Sequence, residues 1–236
     1  MAESNERLIA HLAHVLAGLH GVEPSASRLC EASRLLLEAD GAALTLMTSE
    51  DSRMVVAATD QLSSDLEDLQ EVVGEGPSQD AYRENAMQVA DFTTDGDGRW
   101  ALMHEHGRRL GFAGRMVAMP LQPLEEPIGV LTAYRDAPDF AVDPVTAGFL
   151  GAAVGTALLQ DPRMGRQGEI FADVWSARAQ IHQATGMIVS QVGVRPEDAL
   201  ALLRGHAFAR NATLLDVAQQ IVDRHINFRH FTIEGD

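Results

Sequence analysis

Lysine is absent from this chain. All 18 basic residues are arginine, against 34 acids, and the formal net charge is −16. The arginine-only bias fits a GC-rich coding sequence and says little about mechanism. Its chemical consequence is narrower: a phosphate-cradling Walker loop needs a lysine, so Gly74-Glu-Gly76-Pro77 cannot be one. The acidic field repels polyanions as a whole, which excludes indiscriminate nucleic-acid binding and leaves room only for a local basic patch. Cysteine is nearly absent too. Cys30 stands alone, so no intrachain disulfide can form, which fits a reducing compartment. It sits in an apolar helical pattern and reads as a buried structural thiol. Long apolar runs are missing. The longest uncharged stretch, Pro144 to Gln160, is shorter than the ~20 residues of a spanning helix and holds three glycines. It reads as a buried helix. The start, MAESNERL, has neither part of a secretory leader. These absences predict a soluble cytoplasmic protein with no membrane partner.

Catalytic signatures are missing as well. No serine sits in a Gly-x-Ser-x-Gly turn, and no carboxylate pair declares itself as acid and base, so the expectation is that this is not an enzyme. His104-x-His106 near Asp91, Asp95 and Asp97 invites a metal reading. Residues two apart on a helix point to different faces, however, and Arg99 stands where a calcium loop needs its third acid. Neither a metal site nor a cofactor is expected.

What is present is periodicity. Leu8, Leu12, Val15, Leu16 and Leu19 recur at helical spacing, and a second helix follows Pro24. Ala43 to Met47 and Met54 to Ala58 predict a hairpin; Ser63 to Val73 predicts a polar, acidic helix. The Gly74 to Ser78 segment breaks it at the mouth of a pocket and begins another helix. A short strand at Met87 to Asp91 and a helix from Trp100 to Gly111 come next. Strands at Arg115 to Leu121 and Pro127 to Arg135 precede a helix from Asp143 to Gln160. This order predicts an α+β domain, an antiparallel sheet with flanking helices, over 1–160. A Pro- and Gly-bearing linker covers 161–168, an all-α module of three helices covers 169–230, and a tail covers 231–236. In the module Ile170, Val174, Ala177, Ile181, Ala184 and Ile188 form a seam fit for helix packing or a coiled coil. Gly193, Pro196 and the N-cap candidate Thr213 punctuate it. Its small core predicts pairing with a second copy.

The segment from Arg178 to Asp223 resembles the ANTAR family of RNA-binding antitermination modules. The matching positions are Arg178, Ile181, Gln183, Ala184, Gly186, Met187 to Val189, Gly193, Ala199, Leu203, Asn211, Leu214 and Asp216 to Ala218. The region ahead of it resembles a GAF sensor domain of the type fused to ANTAR in actinobacteria. The cues there are Gly74-Glu-Gly-Pro77, Asp80-Ala81, Asp91-Phe92, Arg99-Trp100, Gly111, Pro120-Leu121, Ile128 to Leu131, Tyr134 and Phe140. The resemblance implies a dimeric regulator in which a GAF-bound signal, from a small molecule not identified by any motif, repositions the ANTAR helices on paired hairpin loops of nascent messenger RNA. It implies RNA contacts at Arg178, His182, Gln183, Thr185, Arg210 and Asn211. The chain also departs from the family. Thr185, Gln191 and Thr213 are neutral where positive charge is usual, and from Glu169 onward six arginines face eight acids, a net of −2. Two readings therefore stand: RNA-binding antitermination, or a dimeric sensor and protein-interaction module whose helical tail serves only dimerisation.

Overall fold

The computed structural model describes residues 2–19, 25–49, 52–94, 98–161 and 169–230. Residues 95–97, most of the expected linker, and the tail from 231 lie outside them, as do the side chains of Ile170 and Val174. The N-terminal unit is α+β. Helices α1 (Ala2–Gly18) and α2 (Ser25–Leu36) lead into strands β1 (Gly41–Ser49) and β2 (Ser52–Ala58). Helices α3 (Gln61–Val73) and α4 (Pro77–Glu84), strand β3 (Gln88–Asp91) and helix α5 (Ala101–Arg109) follow. Strands β4 (Arg115–Pro120) and β5 (Gly129–Arg135) and helix α6 (Pro144–Gln160) complete it. The five strands order as β2-β1-β5-β4-β3, every neighbour antiparallel.

Both faces of this sheet are covered, so its strands read as nearly continuous apolar runs whose alternate residues part to opposite sides. Leu44, Leu46, Val117, Met119 and Leu131 pack with Leu29 and Cys30 of α2 and with Leu150 and Val154 of α6. Met116 and Tyr134 face the other way, toward Leu66 of α3 and toward Phe92, Trp100 and Phe112. Cys30 is fully buried, and burial holds its thiol up at about 12. The glycines of α6 have a packing reason at Gly151: a Cβ there would lie 2.2 Å from the Pro120 carbonyl oxygen, so only glycine lets the helix settle on the end of β4.

The C-terminal unit is all-α: α7 (Glu169–Val192), α8 (Pro196–Arg210) and α9 (Leu214–Val222), then a 3₁₀ turn over Phe228–His230. Gly193 closes α7 in the left-handed region, Pro196 opens α8, and the Thr213 hydroxyl caps α9 by accepting the Asp216 N–H at 3.1 Å. Ile181, Ala184 and Ile188 of the predicted seam turn inward and meet Leu203, Val217 and Ile221. The same cluster contains Val72 of α3. The small module thus completes its core partly on the first unit within one chain, and α7 also runs against the sheet's edge strand β2. No helix among the described residues is long and apolar enough to cross a membrane.

Candidate functional site

Helix α3 is the member shared by both units, and its sequence explains how. Leu62, Leu66, Leu69 and Val73, spaced four, three and four apart, pack toward the sheet. Asp65, Asp68 and Val72 lie on its flank toward the helical module, where Asp65, Asp68 and Val72 line a common groove with residues of α8. On the far side of the sheet-facing stripe from these acids, Glu67 is fully buried. Its carboxylate accepts from Thr45 Oγ1 at 2.9 Å, Gln70 Nε2 at 3.0 Å and Ser78 Oγ at 2.8 Å, and pairs with the buried Arg53 guanidinium. Gln70 in turn accepts the Ser78 N–H at 2.7 Å. This part of the sheet face, under α3 and α4, is filled by the protein's own polar side chains.

The Gly74 to Pro77 break is built for this junction. Gly74 ends α3 at φ 73°, and Gly76 with Pro77 opens α4. Glu75 caps α5, accepting the Leu102 N–H at 2.7 Å and the Met103 N–H at 3.3 Å. A Cβ on Gly74 would lie 3.1 Å from Nη1 of Arg204, so the absent side chain lets the α8 guanidinium rest on the end of α3. The expected cues Asp80 and Arg99-Trp100 also meet: Asp80 Oδ2 accepts from Arg99 Nη2 at 2.7 Å and from Trp100 Nε1 at 2.9 Å. His104 and His106 diverge as their spacing requires. His104 is buried against Phe92, while His106 meets Phe208 of α8 edge-on, ring centres 4.4 Å apart.

The residues expected to touch RNA fall into three settings. On α7, Arg178 donates to His182 Nε2 at 3.1 Å, and His182 and Gln183 are exposed. At the end of α8, Arg210 and Asn211 are exposed, and Asn211 is the left-handed C-cap at φ 50°. Thr185 differs from the expectation of a surface contact: it is 8% exposed and donates to the Ile181 carbonyl at 2.8 Å. Its neighbours Ala184 and Ile188 are core residues, and the helical phase turns Thr185 inward with them. Asn211 and Thr213 line one wall of a groove of about 680 Å³ whose other walls carry Asp65 and Asp68 of α3 and His106 and Arg109 of α5.

The acids at this junction are desolvated. Burial pushes the Asp68 carboxyl up to about 6, with Asp216 of α9 among the charges that add to the rise. Burial likewise takes Glu71 up to about 7, against the lowering effect of Arg53 and Arg204. Raised carboxyl values mean that the folded, docked chain binds protons more tightly than the unfolded one. This contribution is fully present below the ordinary carboxyl range and is lost as pH rises through about 7. Melting temperature should accordingly rise when pH falls from 8 to 6, and Glu71→Gln should flatten that rise. A profile equally steep in the variant would assign the effect to the chain's overall charge.

The sequence did not expose Val72, Arg204 or Phe208 as junction residues. The available signal was the acid stripe at 65 and 68 on a helix that also had a complete inward face. Among solved structures, the chain is similar to a domain of a two-component sensor histidine kinase protein from Sinorhizobium meliloti 1021 (18% identity, 63% of this chain and 99% of that one, TM-score 0.46). It is also similar to the GAF domain of an Acinetobacter phosphoenolpyruvate-protein phosphotransferase (10%, 66% and 98%, 0.44) and to the second GAF domain of DevS from Mycobacterium smegmatis (18%, 61% and 98%, 0.38). Likenesses this distant transfer no function. No curated protein matches the chain. The helical module is different: residues 175–222, from within α7 to the last residue of α9, match the ANTAR domain family.

Proposed function

We propose that this chain is a cytoplasmic, signal-responsive regulator of transcription antitermination. Its ANTAR module binds hairpin loops of nascent messenger RNA as a homodimer, and the GAF-like unit ahead of it governs that binding. The observation that carries this reading is the coincidence of the ANTAR match with three helices whose core is shared with α3 of the sensor. A change at the sensor that shifts α3 moves Val72, Gly74 and the acid stripe together, and each of these borders the module. On α7, half-buried Arg178 with exposed His182 and Gln183 supplies hydrogen-bonding groups for splayed bases, and Arg210 with Asn211 supplies a second set.

The small net charge of the module makes the dimer important: two weak sites on one RNA reinforce each other through effective concentration. An RNA with two tandem hairpins should therefore bind at least ~10-fold tighter than either hairpin alone. Equal affinity for tandem and single hairpins, with the dimer intact, would contradict paired recognition. An intact dimer that binds neither RNA would leave the helical tail as a dimerisation element.

A further inference from the structure

From the structure we infer a nucleotide-binding cleft that lies partly beyond the ANTAR match: Arg224, Asn227 and Arg229, with Ser190 and Gln191 of α7, hold one unstacked nucleotide of an RNA loop. The inference rests on the RNA-binding reading and adds a site to it. The cleft measures about 380 Å³ and has Met187 and Ile226 as its apolar lining. That places it at the small end of ligand-sized clefts, ~300–1,000 Å³.

Its chemistry runs against that of the whole chain. In a protein of net charge −16, the described residues that line the cleft include two arginines and no acid. Its carboxamides are already turned. Gln191 Oε1 accepts the Phe228 N–H at 2.8 Å, and Asn227 Oδ1 accepts the Arg229 N–H at 3.0 Å. With both oxygens engaged, each amide has its NH₂ group left to offer. Arg224 and Arg229 are exposed. The walls therefore present N–H donors and positive charge, with the Ser190 hydroxyl beside them. That combination suits a phosphate with its acceptor-rich base, and a guanidinium plane can also stack on the base.

The cleft is preformed. Ile226 and Phe228 are each 5% exposed and belong to the module's core, and the Phe228 ring lies 5.3 Å from that of His206. The arginines thus project from an anchored turn rather than a loose end. Gln191 is one of the three neutral positions noted in the sequence, and the structure puts Arg224 and Arg229 beside it.

The test is a titration of the intact chain with tandem-hairpin RNA across a salt series, comparing wild type with Arg224→Gln/Arg229→Gln. The matched-charge control is Arg28→Gln/Arg108→Gln on the sensor. The cleft pair should weaken binding at least ~10-fold and lower the salt slope by about two, with the control pair close to wild type. A photoreactive uridine in the loop should crosslink to the 224–229 segment of unmodified protein. Equal losses in both pairs would reduce the effect to bulk charge and overturn the cleft. Unchanged affinity in the cleft pair, with no crosslink to 224–229, would overturn it while leaving RNA binding intact. Failure of wild type to bind would overturn both.

Discussion

Arg53→Ala should destabilise the chain by about 3–5 kcal/mol, because it leaves the buried Glu67 carboxylate without its counter-charge. For a chain of this length that corresponds to a fall of roughly 10 °C in melting temperature. Three further donors, Thr45, Gln70 and Ser78, still reach Glu67, and they set the lower end of the range. The pair itself is imperfectly satisfied, since among the described residues Arg53 Nη1 is buried without a hydrogen-bond partner. A neutral replacement should therefore be tolerated better than a broken pair. Arg53→Met with Glu67→Gln removes both charges; the amide oxygen still accepts from Ser78 and Gln70, its NH₂ can donate to the Thr45 hydroxyl, and the double variant should recover most of the loss. Thermal melts of the three proteins check this. A loss below ~1 kcal/mol in Arg53→Ala would show that the pair is solvated rather than structural.

Val72→Asp should separate the helical module from α3 and tighten RNA binding by about tenfold. The first half follows from burial: Val72 sits in the module's apolar cluster, and an unpaired carboxylate there costs several kcal/mol, which undocking relieves. The second follows from the groove. While docked, Asn211 and Thr213 look across at Asp65 and Asp68, so a phosphate approaching that wall meets two acids at short range. Undocking removes them. The variant gains a negative charge, so tighter binding could not come from bulk electrostatics. Phe208→Ala is the companion. It deletes the ring contact to His106 from a residue 40% exposed, leaves the module's core untouched, and should shift affinity the same way by a smaller factor. Hydrogen exchange should show faster amides around Val72 and along α8 in both variants, with helix content retained by circular dichroism. Faster exchange without tighter RNA binding would show that docking does not restrain the RNA surface.

Much of this architecture was legible because its signals are local. The apolar runs of Ala43 to Met47 and Arg115 to Leu121, the capping hydroxyl of Thr213 and the stop at Gly193 depend on near neighbours, and the elements follow them. The helical phase that hides Thr185 was legible too, since it lies between Ala184 and Ile188; family correspondence masked it. The junction was not legible. Val72 reads as one more apolar residue of α3, and nothing local says that it completes the core of a module more than a hundred residues away. Arg53 and Glu67 are ordinary surface residue types until the fold buries them together. The Arg224–Arg229 cleft depends on a turn held by Gln191 from another helix, a pairing that periodicity cannot show.

On the function proposed above, this acidic chain carries an RNA-binding surface on its helical module. Titration of the intact wild-type protein into labelled tandem-hairpin RNA at low salt tests it most directly. The expected result is a saturable shift that weakens steeply as salt is raised. No shift up to tens of micromolar protein, with the dimer intact, would contradict it.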